Sequence, residues 1–399
     1  MMILLANSTR TWILCVGFAL FVPLGLLAKQ SMATSYIATA LLVLIAGGLA
    51  TPRALAPNKP LLLAFVALAL YAGMNHLLLV DCGACAAKAS GKMAMLALIL
   101  WTAGSSVGVI EPEARRKAGL ALASGLVFAL ILLVFELSTD SSLYRMLSGR
   151  EDDPDVPLFR LNRGTTALVL LAWPSAAWAY SRDRRVMAIG LIGLSVAVAG
   201  YGESSSALVA GLLAITVATA AAFAPGVTVL ISMLAIGVFT ILAPWLLLNL
   251  LSWVKPFIDN IPSSVLDRIE IWNHGAKAVL DAPFLGHGIG AIRRLPLPDN
   301  AVTGYRHLVK PPTHPHDAVL QIWLELGAVG VVLFAFIIWL LARSIVALEA
   351  PWRAAATAGA AGVIFTALVS YGLWQETWLG IIGMMALAFR VLAAPPGSR

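Results

Sequence analysis

Apolar residues dominate the chain in runs of about twenty, broken by short polar or basic clusters. Runs of spanning or near-spanning length lie at about 11–28, 34–50, 60–80, 93–110, 118–137, 165–180, 187–201, 207–223, 227–250, 328–342, 355–371 and 377–393. Stretches of this length match the hydrocarbon thickness of a bilayer, the shorter ones with help from flanking residues. A spanning segment must satisfy its own backbone polar groups, so the runs predict helices rather than open strands. The expected fold is an all-α polytopic membrane protein of about twelve transmembrane helices. A large, partly helical loop separates the ninth from the tenth. Three regions follow: helices one to nine over 1–250 with a medium loop at 138–164, a loop domain over 251–327, and helices ten to twelve over 328–399.

Composition agrees. Of 399 residues, 60% are hydrophobic and 12% charged, with a mean hydropathy of +0.89, more apolar surface than a soluble domain of this size can bury. The net charge of +7 does not imply nucleic acid, because the basic residues sit in short clusters between apolar runs. Their distribution sets orientation. With the N-terminus inside, Arg10, Arg53, Lys59, Arg115, Arg116, Lys117, Arg182, Arg184, Arg185, Arg343, Arg353, Arg390 and Arg399 fall on the cytoplasmic side, against Lys29, Lys88 and Lys92 in short outer loops. By the positive-inside rule both termini are cytoplasmic, and the loops 138–164 and 251–327 are periplasmic. The first apolar run lacks a convincing signal cleavage site and reads as the first span. Three cysteines are too few for a disulfide framework; in an outer loop Cys82 and Cys85 suit a local cross-link or free thiols better than a redox role.

The chemistry concentrates in the outer loops. His314 and His316 bracket Pro315, with Asp317 following and helical spacing of Leu320, Trp323, Leu324 and Gly327 after it. Thr313 is the expected N-cap and Pro315 the first turn. His316 then falls at a helix N-terminus, where the peptide dipoles disfavour an imidazolium and favour an anion. Asp317, in that first turn, interacts favourably with the dipole; a hydrogen bond from it to a ring nitrogen of His316 would in addition make that ring more basic, opposing the dipole's effect. The other reading of the pair is as loop histidines at the membrane surface. Glu136, at the outer end of the fifth helix, is expected to face the bundle interior. Arg160 and Arg163, where the sixth helix begins, are either interfacial anchors or a phosphate clamp, for which the guanidinium fork is suited. Glu203 and the serines after it read as a cap for the eighth helix, Asn75 and His76 as a polar contact, and Trp374 and Trp378 as interface aromatics.

Within 251–327, Val265–Leu280 has helical spacing, with Leu266, Ile269, Trp272 and Val279 on one stripe and Arg268, Glu270 and His274 elsewhere. Pro283 ends it, and Gly286–His287–Gly288–Ile289–Gly290 forms a turn with no strand before it, which excludes a nucleotide-binding loop. Arg293, Arg294, Arg306, His307 and Lys310 add a cationic patch.

His316–Asp317, nine residues, then Gly327–Ala328–Val329–Gly330 resembles the His–(Asn/Ser/Gln)–x9–Gly–x–x–Gly signature of the O-antigen ligases; related O-antigen and exopolysaccharide polymerases carry similar stretches. Arg268–Ile–Glu–Ile–Trp272 and Pro283–Phe–Leu–Gly286–His–Gly288 are similar to the same family's loop. The likeness covers roughly 265–330 and departs at Asp317, where the family prefers a neutral side chain, and at Val331. Near Tyr201–Ser206 the family often carries Ser–x–Ser–Arg; no arginine stands here.

The resemblance implies a glycosyltransferase at the periplasmic face of the bacterial inner membrane. It would move a glycan from undecaprenyl diphosphate to lipid A–core or, in a polymerase, to a second lipid-linked glycan. His316 would be the general base, and Arg268, Arg160, Arg163, His314, Asp317, Arg293 and Arg294 would contact substrate. No cofactor and no metal are expected: His314 and His316 are too close on a proline-kinked turn to make a tetrahedral site, and no cysteine or carboxylate cluster joins them. Twelve helices also fit a transporter, but there is no internal repeat or pair of broken helices, and polar residues gather in outer loops rather than at mid-membrane.

Overall fold

The computed structural model describes residues 2–393 except 29, 51–54, 57, 81–82, 106–109, 150–157, 203, 300–302 and 304. The readings of Cys82, Cys85 and Glu203 therefore fall outside the described residues and side chains. Among the described residues fourteen α-helices follow in order: α1 Met2–Leu27, α2 Ser31–Ala50, α3 Lys59–Leu79, α4 Gly83–Gly104, α5 Pro112–Ser138, α6 Ser142–Leu147, α7 Asn162–Tyr180, α8 Arg185–Tyr201, α9 Ser205–Phe223, α10 Pro225–Val254, α11 Ser263–Asp281, α12 Ala318–Val346, α13 Ala350–Val369 and α14 Glu376–Leu392. Among the described residues there is no strand. The protein is an all-α polytopic membrane protein. Among the described residues eight helices are long and apolar enough to cross a bilayer: α1, α2, α3, α5, α9, α10, α12 and α13. The other four expected runs fall on α4, α7, α8 and α14.

The outward faces explain why the chain needs a bilayer. Along α10, Val227, Leu230, Ile231, Leu234, Val238, Ile241 and Trp245 are all exposed. They recur at three- and four-residue spacing, a stripe that only lipid can cover. At the opposite extreme α7 is buried from Gly164 to Ala179. It packs against α1, α5, α8, α13 and α14 and forms the bundle's centre. Its first turn, with Arg163, opens at the end of the bundle that carries the long loops.

Three helix starts differ clearly from the sequence reading. The α1 helix begins at Met2 rather than at about 11. The α4 helix starts at Gly83, ahead of the apolar run at 93, because Lys88 and Ser90 are compatible with a helix even though they are not apolar. The α12 helix starts at Ala318 rather than 328 and is interrupted at Gly327, whose φ of 60° and ψ of −163° are not helical. Trp374 and Trp378 are buried rather than interfacial. The indole N–H of Trp374 donates to Glu325 at 2.6 Å, which makes its burial tolerable, whereas Trp378 stacks on Tyr371 with ring centroids 4.9 Å apart and its buried N–H finds no acceptor.

Candidate active site

The site is built on a glycine-dependent splice between two segments far apart in sequence. At Gly327 the α12 ladder breaks, and the segment after α11 supplies the missing partners. His287 and Gly288 donate their amides to the carbonyls of Leu324 and Glu325 at 2.8 and 2.9 Å, while Ala328 donates to Pro283 at 2.9 Å. Tyr71 of α3 donates its hydroxyl to the Leu326 carbonyl at 2.7 Å, and Asn75 donates to Leu285, the polar contact expected of Asn75. The approach needs glycine on both sides. A Cβ on Gly286 would meet the backbone of Glu325 and Leu326, one on Gly327 that of Phe284 and Leu285, and φ is +71° and +60° respectively.

Below the splice, α11 holds the histidine loop. Leu266, Ile269 and Val279 are buried as the stripe predicts. Trp272, half-buried on that stripe, donates its indole N–H to the Pro315 carbonyl at 2.8 Å. From the other side the Arg293 Nε donates to the Thr313 carbonyl at 2.7 Å. The loop is thus fixed immediately before and between its histidines. Glu270 is fully buried and accepts the backbone N–H groups of Arg306, His307 and Leu308 at 2.7, 2.7 and 2.9 Å, folding the last part of the loop onto α11.

The helix start differs from expectation. Asp317, not Thr313, is the N-cap: its Oδ1 accepts the Leu320 N–H at 2.7 Å. Pro315 and His316 precede the helix, and His316 has a φ of +58°, a left-handed conformation that a non-glycine residue holds only at a cost of roughly 1–3 kcal/mol. That turn brings the His316 ring to Ser370, at the end of α13, where Nδ1 lies 2.7 Å from the Ser370 carbonyl oxygen. A carbonyl only accepts, so Nδ1 carries the proton and donates, leaving the lone pair of the neutral ring on Nε2. The imidazoles of His314 and His316 lie face to face at a tilt, centroids 4.1 Å apart.

A cavity of about 430 Å³ opens here, between the ends of α1 and α7, α11, the histidine loop and the turn joining α13 to α14. That size suits a small-molecule headgroup. Five of the candidates line it: Arg160, Arg163, Arg268, His314 and His316. Two of the arginines are incompletely satisfied, because the buried Nε atoms of Arg160 and Arg268 have no hydrogen-bond acceptor. Burial pulls the Arg268 guanidinium below its ordinary value, with Asp267 opposing, yet a guanidinium stays cationic under any such shift. Burial likewise pulls both imidazoles down. For His316 the Ser370 carbonyl opposes and Arg268 adds to the drop; for His314 its histidine neighbour is the next largest cause. Both rings are therefore neutral near pH 7.

Three candidates stand outside this lining. Asp317 is buried as the helix cap, so its expected link to a His316 ring nitrogen gives way to the orphan amide of the first turn. Arg293 braces Thr313. Arg294 donates to the carbonyls of Ile289 and His287 at 2.9 and 2.8 Å and clamps the glycine turn. Arg306 is engaged with Asp259 at 2.9 Å on the surface.

Residues that the sequence reading passed over complete the walls: Tyr144, Asn162, Ser370, Tyr371 and Gln375. Glu136 is buried as expected and accepts the amides of Leu143 and Tyr144 at 3.2 and 3.0 Å, which seats α6 and its Tyr144. Ser370 carried no signal, since its contribution is a backbone carbonyl. Gln375 and Tyr371 stood in the outer turn before α14, where their polarity was the one available hint.

The fold and site together define a multi-helix membrane protein with a cationic, histidine-bearing cavity at its loop-bearing end. Residues 157–335 match the family model described as O-antigen ligase, a span that begins just before Arg160 and ends past Gly330. A relative in Rickettsia prowazekii, named as a candidate polysaccharide ligase, is 30% identical over 145 residues, 36% of this chain and 35% of that protein. A second, in Rickettsia conorii and named in the same way, is 25% identical over 311 residues, 75% of this chain and 72% of its own length. The matched stretch thus spans about a third of the first relative and most of the second. These matches support the O-antigen ligase and polymerase superfamily for this chain, in agreement with the motif resemblance.

Proposed function

We propose that the protein transfers a glycan from undecaprenyl diphosphate to the lipid A–core acceptor at the periplasmic face of the inner membrane, with both termini cytoplasmic. The single observation that carries this reading is the cavity in which a neutral histidine, held by Ser370, faces the same space as guanidiniums with unpaired buried Nε groups. In the proposed reaction the acceptor hydroxyl gives its proton to His316 Nε2, and its oxygen forms a bond to the anomeric carbon of the donor sugar. The bond from that carbon to the phosphate oxygen breaks, and its electron pair leaves with undecaprenyl diphosphate. Arg160, Arg163 and Arg268 neutralise the diphosphate and the charge developing on its leaving oxygen. General-base assistance of this kind contributes ~10²–10⁴-fold in rate. No step calls for a metal. The orientation rests on the basic residues, thirteen against three across the two sides.

Purified protein in lipid nanodiscs, given a glycan on undecaprenyl diphosphate and either lipid A–core or a second lipid-linked glycan, tests the reading. Product on lipid A–core that disappears in His316→Ala is the expected result. Chain extension instead assigns the protein to the polymerases of the superfamily, and no product with either acceptor overturns the reading.

A further inference from the structure

The cavity contains a third unsatisfied nitrogen that the mechanism above does not use. His314 Nε2 is buried and, like the Nε atoms of Arg160 and Arg268, has no hydrogen-bond partner. A buried polar nitrogen left in this condition forfeits its hydration without compensation, and three around one cavity point to a shared missing ligand. Its chemistry follows from the neighbours. Arg160 and Arg268 are donors only, so the group that completes them is an acceptor, and an anionic one.

His314 has the right tautomer to join them. Its Nδ1 lies 2.9 Å from the Thr313 hydroxyl. With that hydroxyl donating, the proton of the neutral ring sits on Nε2, and all three nitrogens are donors. The opposite tautomer would leave a buried lone pair beside guanidiniums that make no hydrogen bond to it. His316 is the mirror case, with its proton on Nδ1. The two neighbouring rings are thereby divided by tautomer. The fold makes room for the arrangement at Gly372, where a Cβ would lie 2.7 Å from that of His314.

Resting on the proposed transfer, we infer that His314 is a diphosphate-binding residue, donating Nε2–H to a phosphate oxygen of the polyprenyl diphosphate while His316 serves the acceptor hydroxyl. The geometry gives each imidazole one reactant: His316 takes a proton from the nucleophile, and His314 holds the leaving group without being consumed.

The test is binding of undecaprenyl diphosphate to protein in nanodiscs, comparing two replacements of similar volume. His314→Gln keeps an N–H donor near the Nε2 position, whereas His314→Met has none. The expected result is that Gln binds within about threefold of the unaltered protein and Met binds at least tenfold more weakly. That follows from losing one hydrogen bond to a charged group, with a tenfold change for each ~1.4 kcal/mol. A structural role for the ring would weaken both variants alike, and Gln as weak as Met overturns the inference. Met as tight as the unaltered protein overturns it too and leaves the transfer reading standing. Failure of the unaltered protein to bind the diphosphate lipid overturns both.

Discussion

The Nδ1 of His316 lies 2.7 Å from the carbonyl oxygen of Ser370, although 54 residues separate them in the chain. This one contact sets which nitrogen of the ring faces the reaction, as the orienting partner does for catalytic histidines generally. Burial, the largest influence on the ring, holds its proton affinity below the ordinary imidazole value of 6.5. A base with a lowered pKa is uncharged over a wider range, so activity is lost only when pH falls through that lowered value. Transfer measured from pH 4.5 to 8.5 is expected to be flat above 7, with a single acid limb centred below 6.5. A limb centred above 6.5 contradicts the assignment of His316 as the base.

Arg268 tests the anion clamp. Its Nε is buried without an acceptor, and its guanidinium lines the cavity with both histidines. Arg268→Ala should weaken donor binding by about 1.5–3 kcal/mol, the range for a hydrogen bond to a charged group. Arg268→Lys should recover only part, because a point charge lacks the planar fork. Titration of both variants with undecaprenyl diphosphate decides it: equal affinity in all three proteins removes Arg268 from the site.

Gly327 tests the splice. A Cβ there meets the Phe284 backbone, and the positive φ adds strain in any L residue. Gly327→Ala should destabilise the fold by roughly 1–3 kcal/mol, visible as a lower melting temperature of detergent-solubilised protein. Transfer should fall as well, since the histidine loop precedes this half of α12. A melting temperature equal to that of the unaltered protein would show that the break at Gly327 is not needed.

Metal removal tests the guanidinium mechanism. Asp317, the carboxylate that follows His316 in the chain, is engaged by the Leu320 amide. Metal-stripped protein assayed in excess EDTA should retain full transfer. Activity that vanishes and returns with magnesium, manganese or zinc would require the histidines to act as ligands.

Much of this protein was legible in its sequence, and the reason is the solvent. A bilayer demands continuous apolar runs and closed backbone hydrogen bonds, so hydropathy alone located α2, α3, α7 to α10 and α14 to within a few residues, together with the C-terminal ends of α1, α5 and α13, and glycine and proline marked the loop that folds onto α11. The motif positions Arg268, His314 and His316 were equally plain as residues.

Tertiary structure decided what each of them does. Arg293 and Arg294 belong to the same basic cluster as any phosphate ligand would, and only the backbone carbonyls they meet assign them to bracing the loop. The sequence reading put a loop-to-span boundary at 327/328, whereas the helix begins at Ala318 and is only interrupted at Gly327, because another segment supplies the hydrogen bonds that let it stop and resume. The tautomer of His316 depends on a carbonyl at Ser370, a group every residue possesses and no sequence pattern distinguishes. Side-chain chemistry is written in the chain; the partner of each polar group is set by backbone brought together from distant positions.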